Sequence, residues 1–157
     1  MSASKARRAA DVTPRTGTNY PEAFRARVHG RQKRALGDLF GLDQFGVNLT
    51  ELAPGAWSAL RHWHSHEDEL VYVLVGEITL ITDAGEEVLR PGECVGFKAG
   101  IADGHHLVNR TDRPVRYLEI GSRRLHVDRA SYPDDDLQAQ PDGRGGRRML
   151  RKDGTPC

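Results

Sequence analysis

Residues 61–76 run Arg61-His62-Trp63-His64-Ser65-His66-Glu67-Asp68-Glu69-Leu70-Val71-Tyr72-Val73-Leu74-Val75-Gly76. Side chains of a strand alternate faces, so His62 and His64 fall on one side, about 7 Å apart, with Trp63 on the other. Glu69 has the opposite parity to His64, and an unbroken strand would turn it outward. The polar stretch 65–68 instead predicts a turn, after which a new strand starts with Glu69 inward and Val71, Val73 and Val75 on the same face. The inner wall is then acidic and histidine-bearing at its mouth and aliphatic below. Gly76 suits the tight turn into the next β-type run, residues 77–82.

Outward from this stretch the texture is uniform. From residue 45 to residue 121, short runs rich in β-branched and aromatic residues alternate with Gly, Pro and Asp, as in the turns Pro54-Gly55-Ala56, Asp83-Ala84-Gly85 and Pro91-Gly92-Glu93. Many short strands at near-regular spacing predict an antiparallel sandwich or barrel. A length of 157 residues fits one domain. It divides into an N-terminal arm, 1–40, partly disordered; a β-rich body, 41–121; and a tail, 122–157, read as wrapping chain without strands. Residues 1–19 lack periodic apolar positions. Phe24, Val28, Leu36, Leu39 and Phe40 are the points where the arm is expected to touch the core.

Composition narrows the setting. The apolar fraction is 38% and the charged fraction 29%, ordinary for a water-soluble domain. The longest apolar run, 70–75, is far short of the roughly 18–20 residues that cross a bilayer. Cys94, read as a small core residue, and Cys157 are poor disulfide partners, which with the lack of an apolar leader predicts a reducing cytoplasm. The net charge of +1 hides a segregation of +7 over 1–36, −8 over 37–120 and +2 over 121–157. The basic end lacks interleaved aromatics or a helix-turn-helix pattern, so neither nucleic acid nor membrane is expected as partner.

His62, His64 and Glu69 occupy one side of an ion, and a further ligand is expected from a distant strand. The pair His105-His106 supplies it. Adjacent strand residues face opposite ways, and if Leu107 and Asn109 face in, so does His105, with His106 outside as a packing or interface residue. The metal set is thus His62, His64, Glu69 and His105. His66, Glu67 and Asp68 are read as a solvated turn, and Asn109 as fixing the turn after its strand. Three imidazoles and a carboxylate suit one divalent transition ion, Zn, Fe, Mn, Ni or Co, rather than Ca(II) or Cu(I).

The run Gly55, His62-Trp63-His64, Glu69, Gly76 resembles the first conserved motif of the cupin superfamily, and Gly92, Gly100, His105, Asn109 resembles the second. Together the motifs span 55–76 and 92–109. The sequence departs from the pattern at Lys98, where proline is usual, and in the longer loop 101–104 before His105. The whole chain is similar to small single-domain bacterial cupins of the conserved-barrel type 2 group. This resemblance implies an all-β, double-sheet jelly-roll barrel and a metal-binding site for a small-molecule ligand or substrate. A metal-dependent enzyme acting on a small polar metabolite, such as a sugar derivative or an oxo-acid, is the leading expectation, with isomerase, lyase and dioxygenase chemistry all open. The alternative is a non-catalytic sensor or binding protein, and a storage role is disfavoured because the ligands are kept. The outward strip Leu70, Tyr72 and Leu74, with the pairing habit of cupins, predicts a homodimer.

Overall fold

The computed structural model describes residues 5–157. Its strands are β1 (Arg31–Ala35), β2 (Phe45–Leu52), β3 (Trp63–His64), β4 (Glu69–Val75), β5 (Ile78–Thr82) and β6 (Gly85–Leu89). After them come β7 (Cys94–Phe97), β8 (His106–Val108), β9 (Val115–Ser122), β10 (Ala130–Tyr132), β11 (Leu137–Pro141) and β12 (Arg147–Leu150), and the only α-helix among the described residues is the single turn α1 (Glu22–Arg25). All pairings are antiparallel, in a five-stranded sheet ordered β1-β2-β9-β4-β7, a three-stranded sheet β6-β5-β8 and a four-stranded sheet β12-β11-β10-β3. The fold is the expected all-β jelly roll.

Two sheets face each other across an apolar core. Leu52, Val71, Val73, Val115 and Tyr117 come from the five-stranded sheet, and Ile78, Leu80, Leu89 and Leu107 from the three-stranded one. Alternation in β4 buries Val71 and Val73 and leaves Leu70, Tyr72 and Leu74 outside. Each fully buried aliphatic side chain contributes about 1.5–3 kcal/mol. Val75, expected inward, is 42% exposed, because the β4–β9 register shifts between Val73 and Val75 and the bulge reverses its face. Gly76 follows at φ +80°, where a Cβ would lie 3.1 Å from Val115 Cγ2, so both backbone sign and space call for glycine.

The arm and the tail are more structured than the sequence suggests. The tail contributes β10, β11 and β12, correcting its reading as strandless, and β10 pairs with β3, placing Ala130 opposite His64. Tyr20 and Val28 of the arm pack with Leu60, Ala130, Tyr132, Leu137 and Ala139 in a second core, flanked by Phe24, Trp57 and Met149. Arm residues 31–35 form β1 at the edge of the large sheet, and Arg15 bridges to Lys33 through two backbone hydrogen bonds of 2.8 and 2.9 Å. Leu39 and Phe40 do not reach a core, being 45% and 55% exposed. Of the stretch expected to be disordered, residues 1–4 lie outside the described residues. Cys94 is exposed on the edge strand β7, not a core residue.

Asn109 closes the loop after β8. It is fully buried; its Nδ2 donates to the carbonyls of Leu52 and Arg113, and its Oδ1 accepts from the N–H and hydroxyl of Thr111. Asn109→Ala leaves these buried groups unpaired and is expected to cost about 3 kcal/mol in urea denaturation. A loss below about 1 kcal/mol would show that water replaces the amide.

Candidate metal centre

Histidines from distant parts of the chain meet through the backbone first. His62 N–H donates to His105 O at 3.1 Å, and His105 N–H to His62 O at 2.8 Å, an isolated antiparallel bridge that sets the two residues side by side. Glu69, at the start of β4, faces them from the opposite sheet, as expected from the turn at 65–68 that breaks the alternation. His105 Nε2 lies 2.9 Å from Glu69 Oε2, His64 Nε2 3.7 Å and His62 Nε2 3.9 Å. The three predicted imidazoles therefore converge on one oxygen of the fourth predicted ligand, Glu69. Donor atoms of His62, Glu69 and His105 all lie within 4.8 Å of one another, and His64 joins them through Glu69.

The imidazoles are oriented as well as gathered. His62 Nδ1–H donates to Leu60 O at 2.7 Å and His64 Nδ1–H to Asp128 Oδ2 at 2.6 Å; both partners only accept, so each Nε2 is left to the site. The Phe97 ring stacks on His105 with centroids 3.5 Å apart, and the buried His105 Nδ1 has no partner. Burial drives His62 down to about 3 against the pull of Glu69, which keeps that ring neutral at neutral pH. Glu69 is held well below the usual carboxylate range, because the His105 hydrogen bond and the neighbouring imidazoles outweigh the cost of burial. Burial opposes a charge on His64 too, yet its bond to Asp128 raises it. Unprotonated nitrogens and an ionised carboxylate are what a borderline divalent ion takes as ligands, so these residues fit such an ion.

The site forms the floor of a cleft of about 520 Å³, with Val71, Phe97 and Leu107 as its apolar lining and Tyr20 and Tyr132 above. His106 faces away, buried, with Nδ1 3.1 Å from Ala59 O and its ring edge-on to Trp57. His66 is exposed beside Ser65, as expected of the turn. Asp68 is exposed too and pairs with Lys98. Glu67 departs from that reading, being buried and accepting from Arg124 N–H and Arg147.

Comparison with known proteins agrees with this geometry. A family model described as cupin domain matches residues 48–121. The crystal structure of a sugar phosphate isomerase from a cupin superfamily, from Silicibacter pomeroyi DSS-3, superposes with TM-score 0.88 at 43% identity, covering 94% of this chain and 93% of that one. The chain belongs to the cupin superfamily. A second structure, a candidate sugar phosphate isomerase from Acidithiobacillus ferrooxidans, is 31% identical with TM-score 0.72, over 81% of this chain and 80% of that one. The polyketide cyclase RemF from Streptomyces resistomycificus shares the fold at 24% identity and TM-score 0.63, over 76% and 79% of the two chains. No curated protein matches the chain.

Sequence reasoning missed what holds this cupin's His64. Asp128, fully buried in the tail, accepts from His64, from His66 N–H at 2.9 Å and from Arg147 at 2.6 Å. His64, Glu67 and Asp128 could themselves be mistaken for a metal cluster. Arg147 Nη2 already sits 2.6 Å from both carboxylates, so the cation there is a guanidinium. No local pattern around Asp128 announces it; its partner lies 64 residues away. Asp128→Ala strands Arg147 and is expected to destabilise the metal-free protein by about 3 kcal/mol, while Asp128→Asn keeps an acceptor for His64 and loses less. Equal melting temperatures for wild type and Asp128→Ala would show that the network carries no stability.

Proposed function

We propose that this cupin is a metal-dependent enzyme that isomerises a small anionic sugar derivative. The observation that carries this reading is the set of three imidazoles and Glu69 on the floor of a cleft whose outer wall is rich in Arg and Lys. The names of the two relatives at 43% and 31% identity support sugar phosphates as the substrate class. His62, His64, Glu69 and His105 hold one divalent transition ion. Bound there, the ion supplies Lewis-acid polarisation of a substrate oxygen. Phe97, Val71 and Leu107 exclude water from the floor. Burial pushes the phenol of Tyr132, in the cleft lining, well above its ordinary value, so it stays protonated and uncharged at neutral pH.

The test is metal loading followed by a panel of aldose and ketose phosphates in D2O, read by NMR. Deuterium entering the carbon next to the carbonyl, dependent on the metal, is the expected result. Tight ligand retention with neither exchange nor turnover would establish the binding-protein alternative instead.

Metal content discriminates the ligand assignment. His64→Ala and His105→Ala are expected to lose most of the ion, and His106→Ala to keep it while melting lower. Glu69→Gln retains more metal than these but loses activity, because the carboxylate sets the charge at the ion. Unchanged stoichiometry in His64→Ala overturns the set.

We further propose that the chain pairs with itself across the outer face of the five-stranded sheet, where Leu70, Tyr72 and Leu74 are 39–40% exposed in a row. Light scattering at micromolar concentration is expected to give twice 17.4 kDa. A monomer mass that persists on concentration rules the pairing out.

A further inference from the structure

The outer end of the cleft widens into a lobe of about 280 Å³, lined by Arg15, Thr18, Asn19, Arg31, Lys33 and Asn48 among others, with no carboxylate in its lining. Arg15, Asn19, Arg31, Lys33 and Asn48 line the main cleft as well, so the lobe adjoins the cleft that holds the histidines. The five-stranded sheet explains the arrangement. Arg31 and Lys33 lie two apart on β1 opposite Leu52 and Thr50, on the face that continues through Tyr117 and Glu119 of β9 to Val71 and Glu69 of β4. From β1 to β4 is three strand spacings, about 14 Å. The long side chains of Arg31 and Lys33 reach back across part of that span, leaving the length of a small polyol.

The charges on this wall do not balance. Lys33 pairs with Glu119 at 2.7 Å, while Arg15 and Arg123 share the single carboxylate of Asp38. Arg31 donates only to the carbonyl of Ser58 and has no ion pair among the described residues. The three cations of the lobe therefore face two carboxylates, one of which, Asp38, is shared with Arg123, and positive charge is left in excess. Like charges held side by side on a bridge, as Arg15 and Lys33 are, cost stability unless something between them is negative. A phosphate monoester carries about −1.5 to −2 at neutral pH and offers three strong acceptor oxygens.

We propose that Arg15, Arg31 and Lys33, with Asn19 and Asn48, form the subsite for the phosphate group of a sugar phosphate whose other end lies on the histidine floor. This rests on the isomerase reading for the second half of the ligand only. Arg presents a planar fork for bidentate contact with phosphate oxygens, and the amides of Asn19 and Asn48 add donors, Asn48 Nδ2 having one hydrogen beyond its 3.3 Å bond to Glu119. The arm thereby selects the substrate: a neutral sugar of the same shape leaves the excess positive charge unmatched.

Binding of inorganic phosphate by the full chain, followed by calorimetry at low salt, tests the subsite without any turnover. Arg15→Gln and Arg31→Gln are expected to weaken phosphate at least tenfold with melting no lower than about that of the wild type and metal content unchanged, whereas Arg90→Gln, paired with Glu77 outside the cleft, leaves phosphate binding as in the wild type. Arg31→Lys recovers part of the loss, which separates charge from the contact to Ser58. Phosphate binding that is absent, or indifferent to Arg15→Gln and Arg31→Gln, overturns the subsite. If phosphate binds here and no sugar phosphate exchanges deuterium, the isomerase reading fails and the subsite stands. If neutral sugars are isomerised as well as their phosphates, the subsite fails and the isomerase reading stands.

Discussion

The hydrogen bond from His64 Nδ1 to Asp128, 2.6 Å long and buried at both ends, joins the two halves of this molecule. The strand that bears His64, β3, is only two residues long and by itself could not hold the ring in one orientation, while His62 just before it is held by its bridge to His105. Asp128 precedes β10, and β10 pairs with β3 on one side and with β11 on the other. The tail sheet is therefore a splint on the histidine strand. Its own apolar face is covered by Tyr20, Phe24 and Val28 of the arm, and the Tyr20 hydroxyl accepts from Leu60 N–H two residues before His62. Arm, tail and site are thus one cooperative unit, and damage to the second core is felt at the imidazoles.

The body of the fold was legible because its signals are local. Val71 and Val73 alternate with exposed neighbours, the turns carry glycine at positive φ, and the parity break at residues 65–68 places Glu69 opposite the histidines. The histidine register was legible for the same reason: alternation gives His105 the face of Leu107, which lies in the core, and sends His106 to the other face, against Trp57. What was not legible depends on distance along the chain. Asp128 and Glu67 look like surface acids until Arg147 arrives from 19 and 80 residues away. The strand β1, Arg31-Gln32-Lys33-Arg34-Ala35, has no apolar alternation, since its inner face lines a polar cleft rather than a core. The tail strands bury Ala130 and Ala139, too small to stand out as a hydrophobic pattern. The bulge that turns Val75 outward leaves no mark in a run of aliphatics.

These two classes of residue have different chemical jobs. The locally encoded strands supply the histidines and Glu69, a donor set that would serve many reactions because it states only that a substrate oxygen can be polarised. The poorly encoded ends supply the walls above that floor: Tyr20, Arg15, Arg31 and Lys33 from the arm, Tyr132 and Arg147 from the tail. A site whose floor is rigid and whose walls come from separate chain ends can change its ligand without disturbing its metal chemistry. It follows that resemblance in the two motifs speaks to the floor, and that the specificity of this chain has to be read from the arm and the tail. The excess of positive charge at residues 1–36, which in sequence looked like a solvated basic tail, is in the fold aimed partly into the cleft. There Arg15, Arg31 and Lys33 line one end of the cleft, and of the three only Arg31 lacks an ion pair among the described residues, so the field at that end favours an anion over a neutral ligand.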